Sequence, residues 1–287
     1  MRILISPICF FVLSACDLKG VDDVETTNDS IFSNKGELGI VDQNGMMLVD
    51  SINGQPNSMV YNRADGLRIE WTKKNTENQI QLNDVVMVNY VARVAAGEEY
   101  DSNTELGEPV PLKTNIGMLI KGWEEGMLLM HAGDKGRIMI PAALAYGENG
   151  YDDIVPPSAD IIVEIEIVSI VQPIVLPEGV KVYTWKTSKT GKKPTKNQLI
   201  TFDYFAYTMG EGAKMYDNSY SNDAPFSFKF ENAGVVEGLH QGMSVIKEGE
   251  NAFIEIPAEL AYGKKGLIDH VPSNASIVYD VRVNSIK

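Results

Sequence analysis

The sequence predicts an α+β fold in two copies, each copy an antiparallel sheet with one short helix packed on it. The first observation is an internal repeat, in which the motif between Gly122 and Pro156 returns 116 residues later between Gly238 and Pro272. The second is that most of each copy is rich in β-branched and apolar residues with partial alternation, which is typical of strands. The third is that a single segment in each copy has apolar residues at helical spacing. One short helix beside several antiparallel strands is an α+β arrangement.

The repeat keeps a nearly constant offset along the chain. Trp71 and Trp185 are 114 residues apart, and so are Tyr90 and Tyr204, whereas the pairs further along the chain are 116 residues apart. The change in offset falls in turn-like sequence after residue 94, where insertions cost little. A period of about 110 residues is too long for a solenoid repeat and fits a domain with its own core. The sequence therefore predicts a duplicated domain.

The patterns place the elements as follows. Strands are predicted at Ile80–Val94, Lys135–Ile140 and Ile161–Val171, and again at Gln198–Met209, Asn251–Ile256 and Ser276–Ile286. Each helix is predicted to have two to three turns, with its apolar face formed by Trp123, Met127 and Met130 in the first copy and by Leu239, Met243 and Ile246 in the second. Gly133 and Gly249 are predicted to end these helices.

The composition is that of an acidic globular chain. It has 287 residues, of which 44% are hydrophobic and 22% charged, enough apolar material for two cores. The net charge of −14 leaves no basic stripe to neutralise phosphates, so nucleic acid is not an expected partner, and the acidity favours solubility. His131, His240 and His270 share no spacing with carboxylates or cysteines, so neither a metal nor a cofactor is expected.

Residues 1–16 have the pattern of an export signal. Arg2 precedes an apolar stretch from Ile3 to Leu13, too short to span a bilayer as a helix but suited to a signal peptide. The following Leu13-Ser14-Ala15-Cys16 resembles the bacterial lipobox, in which the cysteine is lipidated and becomes the first mature residue. The alternative is an ordinary secretory signal. We expect a lipid anchor at Cys16 that holds the chain on a membrane of a bacterial cell envelope, either in the periplasm or exposed at the surface.

Residues 17–60 are predicted to be an acidic flexible tether. Between Asp17 and Glu37 there are six acidic and two basic residues with few large apolar ones, a composition that does not fold alone. From Leu38 to Tyr61 the chain is more apolar and contains two Asn-Gly pairs, so a short strand or hairpin leaning on the first domain is the alternative there. The two domains are predicted at residues 61–172 (domain 1) and 173–287 (domain 2).

Three motifs of domain 1 carry a resemblance to a known family. Tyr100-Asp101-Ser102, the run from Ile120 to Gly126, and Ala145-Tyr146-Gly147 followed by Ile154-Val155-Pro156-Pro157 stand in the order found in FKBP-type peptidyl-prolyl isomerases. The resemblance covers about 105 residues, and domain 2 matches more loosely. It implies a strongly bent antiparallel sheet wrapped around the short helix, with an apolar pocket between them.

The resemblance implies roles for the residues of domain 1. Trp123 is expected to form the floor under a proline ring, with walls from Tyr90, Tyr100, Leu119, Ile120 and Val163. Polar contacts to the peptide are expected from Asp101, the Tyr146 hydroxyl and the Ile120 backbone, and the flap before the last strand contains Tyr151, Ile154 and Val155. The chain departs from the family at Val110 and Val163, where aromatic residues are usual. We therefore expect altered substrate preference and weaker macrolide binding, with catalysis retained.

Domain 2 departs from the family differently. Its expected pocket consists of Tyr204, Tyr216, Asp217, Phe226, Val235, Val236, Leu239, Tyr262, Val271 and Tyr279. Leu239 stands where domain 1 has its tryptophan, and leucine has no flat face to offer a proline ring. His270 stands where the flap is normally aliphatic. We expect domain 2 to be weakly active or inactive.

Two functions follow from the resemblance. The first is a prolyl isomerase that helps cell-envelope proteins to fold, acting on proline-containing unfolded or extended polypeptides. An X-Pro bond needs no nucleophile or metal, because its barrier of about 18–20 kcal/mol comes from amide resonance and falls in an apolar site. The second is a non-catalytic tandem chaperone or adaptor, in which two weak sites together hold a client.

Overall fold

The computed structural model describes residues 40–41, 46–52, 55–95, 97, 99–232 and 234–287. Cys16 and the acidic part of the predicted tether lie outside these residues. The described chain forms two antiparallel sheets, each with one α-helix, so the predicted tandem α+β architecture is confirmed. Both helices have seven residues, and no helix in the described part of the chain is long and apolar enough to cross a membrane.

The first sheet belongs to domain 1 and an N-terminal extension. Its strands are β1 (Ile40–Val41), β2 (Met46–Ile52), β3 (Gln55–Asn62), β4 (Arg68–Lys73), β5 (Val85–Val94), β6 (Glu99–Ser102), β7 (Val110–Lys113), β8 (Lys135–Ile140) and β9 (Ile161–Val171). Helix α1 (Lys121–Met127) lies between β7 and β8. The flap between β8 and β9 contains the 3₁₀ turns Ala142–Leu144 and Gly147–Asn149.

The second sheet repeats this plan in domain 2. Its strands are β10 (Ile174–Val175), β11 (Lys181–Lys186), β12 (Leu199–Thr208), β13 (Met215–Asn218), β14 (Phe226–Lys229), β15 (Asn251–Ile256) and β16 (Ile277–Ile286), and helix α2 (Glu237–Met243) lies between β14 and β15. The strand order β10-β11-β15-β16-β12-β13 corresponds to β3-β4-β8-β9-β5-β6 in domain 1, and β14 pairs with β12 as β7 does with β5. Equal connectivity in both sheets is what a duplicated domain requires.

The change in repeat offset has a structural location. Four residues separate β5 from β6 in domain 1, whereas six residues separate β12 from β13 in domain 2. The two extra residues therefore lie in the β12–β13 loop. This is the position at which the sequence predicts the change in repeat offset.

The central strands have nearly the predicted bounds. The start of β5, the strands β4 and β11 and the ends of the helices differ from the prediction. Strand β5 begins at Val85 instead of Ile80, because Asn83 has the left-handed φ of 75° and the Asp84 carboxylate accepts the N–H of Gln81, which forms a turn. Strands β4 and β11, which contain the repeated tryptophans, were not predicted. The helices are shorter than predicted, and α1 ends at Met127, six residues before Gly133.

The end of the predicted tether also differs from the structure. Strand β3 pairs with β4 in the register Met59↔Trp71 and Val60↔Glu70, and β2 pairs with β3, so residues 46–52 and 55–60 extend the sheet of domain 1. This is the hairpin alternative for the segment from Leu38 to Tyr61. The physical reason is that β4 offers an unpaired edge, whose backbone N–H and C=O groups a neighbouring strand satisfies.

Glycines at i and i+4 allow each helix to lie very close to its sheet. A Cβ atom added at Gly126 would lie 2.7 Å from Ile138 Cγ2 of β8, and one at Gly122 would overlap Ile140. Gly238 and Gly242 of α2 stand equally close to Ile256 and Ile254 of β15. The repeated Gly-x-x-x-Gly spacing is therefore a packing requirement, because only glycine leaves room for the isoleucine side chains.

The outer face of the second sheet packs against domain 1. Tyr183, Tyr207, Phe253 and Val278 of domain 2 belong to the same buried apolar cluster as the core of domain 1, and at most 4% of each is exposed. In domain 1 the equivalent outer face is polar; Arg137, for example, stands at the position of Phe253. The two copies therefore share one fold, but only the second has both sheet faces covered.

A buried ion cluster joins the domains. Lys113 Nζ of β7 lies 3.0 Å from Glu255 Oε2 of β15, and Lys181 Nζ lies 2.9 Å from Glu255 Oε1. The Lys113 side chain is fully buried and also donates to the Asn83 carbonyl at 2.6 Å. Burial favours the neutral form of Glu255, but the two lysines outweigh it and hold its pKa below the ordinary value of 4.5.

We predict that Gly126→Ala destabilises the chain although alanine is the better helix former. Helix propensity alone favours alanine by about 1 kcal/mol, whereas overpacking against Ile138 costs about 1–3 kcal/mol. Urea unfolding of the two proteins measures the difference. An unchanged or higher free energy of unfolding would show that the helix–sheet contact is not close-packed.

We predict that Glu255→Gln lowers the free energy of unfolding by about 3 kcal/mol, because the Lys113 charge is left buried without its partner. The matched control is Glu166→Gln, which breaks the exposed pair with Lys135 and should cost less than about 1 kcal/mol. Since the folded pKa of Glu255 is lowered, the stability it contributes is present above pH 4.5 and is lost as the pH falls through its folded pKa. Equal losses in both variants would contradict this role.

Candidate functional site

In domain 1 the aromatic residues expected in the pocket gather over helix α1. Trp123 is 7% exposed, and its ring meets that of Tyr90 edge to face, with centroids 5.0 Å apart. Tyr146 stacks on Tyr151 at 5.3 Å and meets Tyr100 edge to face at 6.5 Å. Strand β5, helix α1 and the flap thus bring together side chains that are up to 61 positions apart in sequence.

The aliphatic residues expected in the domain 1 site are either buried beside the aromatic group or exposed at the flap. Val155 and Val163 are fully buried beside this aromatic group, and Val110, Leu119 and Ile120 are partly buried against the same cluster. Ile154 is 49% exposed at the flap, so its side chain is free to meet a bound peptide. Alternation places Val163 on the inner face of β9, because its neighbour Glu164 is exposed on the outer face.

The polar groups of the domain 1 site lie on strands β5 and β6 and on helix α1. The Tyr90 hydroxyl donates to Asp101 Oδ2 at 2.9 Å, which ties β5 to β6 at the rim. Trp123 Nε1 is buried and has no hydrogen-bond partner among the described residues. An unpaired indole N–H beside an apolar surface is a donor that a ligand carbonyl could satisfy.

Domain 2 encloses a cavity of about 380 Å³ at the matched position. Its lining consists of Phe202, Tyr204, Asp217, Phe226, Gly234, Val235, Val236, Leu239, Tyr262 and Tyr279. Eight of these ten were expected from the sequence. Leu239 is 2% exposed at the base, where domain 1 has the indole ring. The cavity therefore combines aromatic and aliphatic side chains with polar surface from its tyrosines and from the Asp217 carboxylate.

Two expected residues of domain 2 do not line the cavity, and two lining residues were not predicted. Tyr216 donates its hydroxyl to that of Tyr279 at 3.4 Å, and Val271 is 4% exposed in the core. Phe202 and Gly234 line the cavity without having been predicted. Phe202 lies two residues before Tyr204 on β12 and shares its face, so strand alternation could have identified it.

The tyrosines of the domain 2 site are neutral hydrogen-bonding groups. Burial raises the pKa values of Tyr204, Tyr216 and Tyr279 well above the ordinary value of 10.0, and neighbouring acidic or phenolic groups raise them further. The Tyr204 hydroxyl donates to Asp217 Oδ2 at 2.6 Å, the same pairing that Tyr90 makes in domain 1. Both domains thus hold a matched Tyr–Asp pair at the rim.

A larger groove of about 590 Å³ lies on the other face of the domain 1 sheet, beside the loop 103–108. Its charged side chains are paired: Glu70 with Arg68 and Arg137, and Lys135 with Glu166. These side chains are occupied by one another, so they are not the convergent unpaired polar groups of a ligand site. We therefore assign the site to the inner face, where the aromatic residues converge.

The family model described as FKBP-type peptidyl-prolyl cis-trans isomerase matches residues 76–168 and 190–284. The chain belongs to this family. Both FKBP domains are matched separately, as the repeat predicted. Among curated relatives, peptidyl-prolyl cis-trans isomerase FKBP10 of Mus musculus is 27% identical over 227 residues, and FKBP9 of Homo sapiens is 24% identical over 254 residues.

These FKBP relatives are longer than the chain. The alignments cover 78% and 88% of the chain but only 38% and 43% of FKBP10 and FKBP9. FPR2 of Saccharomyces cerevisiae is 38% identical over 88 residues, which are 30% of the chain and 65% of that protein. Among solved structures, the three FKBP domains of wheat FKBP73 align with a TM-score of 0.40 at 22% identity, covering 78% of this chain and 96% of that one.

We predict that Phe226→Ala weakens proline-peptide binding by domain 2 several-fold while changing the free energy of unfolding by less than about 1 kcal/mol. Phe226 lines the cavity and is 39% exposed, so its removal leaves little buried void. The matched control is Phe228→Ala on the same strand, where a side chain that is only 6% exposed should cost about 3–5 kcal/mol. Isothermal titration with a Pro-containing peptide and urea unfolding measure the two effects. Equal losses of stability in Phe226→Ala and Phe228→Ala would contradict the placement of Phe226 at the exposed edge of the cavity.

Proposed function

We propose that the chain is a peptidyl-prolyl cis-trans isomerase whose catalysis resides mainly in domain 1, with proline-containing unfolded or extended polypeptides as substrates. The observation that carries the proposal is Trp123, a buried indole at the start of α1 with an edge-to-face contact to Tyr90 and an unpaired N–H. A flat aromatic floor accepts a proline ring, and the tyrosines of the flap enclose the bond that must rotate.

The chemistry that such a site must supply is modest. Rotation about an X-Pro bond passes through a twisted state in which the amide has lost its resonance, and the uncatalysed step takes tens to hundreds of seconds. The planar ground state is the more charge-separated form, so removing it from water into an apolar pocket disfavours it relative to the twisted state. The Trp123 N–H and the Tyr146 hydroxyl are the donors assigned to the peptide carbonyls.

We assign binding more than turnover to domain 2. Its cavity is aromatic on the side walls, but Leu239 forms the base, and an aliphatic side chain gives a proline ring fewer contacts than an indole. The Tyr204–Asp217 pair and Phe226 still offer a polar rim and an apolar edge. Domain 2 therefore holds a proline-containing segment while domain 1 acts on another part of the same client.

The alternative is a tandem peptide-binding chaperone or adaptor in which neither site turns over. The features that favour it are Val110, Val163 and Leu239, each of which replaces an aromatic residue of the family pattern. Two weak sites on one rigid chain can still bind one client tightly, because the second contact is intramolecular. Turnover measurements separate the two functions.

We further propose that the chain acts at a bacterial cell envelope, held by a lipid on Cys16. The basis is the sequence pattern Leu13-Ser14-Ala15-Cys16 after a short apolar segment. The spacer from Asp17 onward would give the two domains reach from a membrane. Mass spectrometry of the full chain purified from its membrane fraction tests this: a diacylglyceryl mass on Cys16 is expected, and an unmodified cysteine would contradict it.

We predict that Trp123→Leu lowers kcat/KM for an Ala-Pro peptide about tenfold or more. The reason is that the residue under the proline ring in domain 1 is then leucine, as it is in domain 2. The reverse change, Leu239→Trp, should add activity to domain 2. Each is measured in a prolyl isomerisation assay on the soluble chain, with Trp123→Ala as the stronger truncation. Because Trp123 is buried, urea unfolding of each variant accompanies the assay.

The parent chain provides the decisive result for the function. A rate indistinguishable from that of the uncatalysed peptide would exclude catalysis and favour the chaperone alternative. If the parent is active and Trp123→Leu retains full activity while remaining folded, the assignment of catalysis to domain 1 is wrong.

A further inference from the structure

A loop of domain 2 reaches the wall segment of the domain 1 site. This wall segment, residues 114–120, connects β7 to helix α1 and ends in Leu119 and Ile120. Gly210 N–H of domain 2 donates to the Asn115 carbonyl at 3.1 Å. A Cβ atom added at Gly117 would overlap the carbonyl oxygen of Ala213, although Gly117 is exposed on its other side. The two backbones therefore meet without intervening side chains.

The contacting loop is the one that distinguishes the two copies. It spans residues 209–214 between β12 and β13, and it is two residues longer than its counterpart between β5 and β6. Gly210 and Gly212 have φ values of 91° and 68°, in the left-handed region that glycine adopts most readily. The extra length and the glycines let the loop extend to the neighbouring domain.

The wall segment is fixed on its other side by domain 1. The N–H of Asn115 donates to Glu124 Oε2 of helix α1 at 2.9 Å, and its side-chain amide donates to Asn83 Oδ1 at 2.9 Å. The Asn83 carbonyl in turn accepts from Lys113, which pairs with Glu255 of domain 2. Domain 2 thus contacts the wall segment directly through the loop and indirectly through Lys113.

Helix α1 receives this restraint next to the aromatic floor. Glu124 follows Trp123, and the N–H groups of both residues donate to the Ile120 carbonyl, at 3.2 and 3.1 Å. A shift of the wall segment would therefore move Ile120 relative to the ring of Trp123.

We propose that the β12–β13 loop of domain 2 is a positioning element for the prolyl site of domain 1, holding the wall segment in the arrangement that accepts a proline ring. This proposal rests on the proposed isomerase function of domain 1. It gives domain 2 a second role besides peptide binding, because a preorganised wall reduces the ordering that substrate binding would otherwise require.

We predict that Gly117→Ala raises KM for an Ala-Pro peptide about tenfold with kcat changed less than twofold. The matched control is Gly107→Ala in the same domain: Gly107 has nearly the same φ, 64° against 67°, but an added Cβ meets nothing within 4 Å. It carries the same backbone strain without the contact to domain 2 and should leave KM within twofold. A variant that merely unfolds part of the population would lower kcat at unchanged KM.

A second variant leaves domain 1 untouched. Deleting Glu211 and Gly212 shortens the loop to the length found in domain 1, and we expect the same rise in KM. Amide hydrogen exchange of residues 114–120 is measured in all variants and should be about tenfold faster in Gly117→Ala and in the deletion, but not in Gly107→Ala. If the parent chain is inactive, the proposed function fails and the exchange data alone decide the positioning role. Unchanged exchange and unchanged KM in the shortened loop would overturn it.

Discussion

The close approach of each short helix to its sheet determines where the site forms. Gly122 and Gly126 let α1 lie directly on Ile138 and Ile140, so the first turn of the helix stands at the centre of the bent sheet. The residue after the first glycine then points into the space between helix and flap, and that residue is Trp123 in domain 1 and Leu239 in domain 2. One packing constraint, repeated in both copies, thus creates two equivalent positions that differ in the side chain they hold.

The second constraint is the interface between the domains. The outer face of the domain 2 sheet is apolar because it packs on domain 1, whereas the outer face of domain 1 carries paired charges. Within this interface the Lys113 side chain of domain 1 is buried against Glu255 of domain 2. The same arrangement brings the β12–β13 loop to the wall segment. The contact between this loop and the wall segment therefore follows from how the two copies pack on each other.

Much of the fold and part of the site could be predicted. The strands at Lys135–Ile140, Ile161–Val171 and Asn251–Ile256 follow directly from their apolar patterns and have the predicted bounds. Strand β4 was missed because Arg68-Ile69-Glu70-Trp71 is short and has charged residues on one face. Strand β3 forms mainly because β4 offers it an edge to pair with. Phe202 was not predicted because the family pattern includes Tyr204 but not the residue two positions before it, although both lie on one face of β12.

The sequence by itself determined the duplication, the fold of each copy and the residues at the two floors, because each depends on local pattern and on spacing within one domain. Only the tertiary structure decided that the copies pack through the outer face of the second sheet, that Lys113 is buried, and that Gly117 meets a loop 96 residues further along the chain. These features depend on contacts between residues far apart in sequence, which leave no periodic pattern. The two-residue insertion was visible in the repeat offset, but its position beside the wall segment required the packing of both domains.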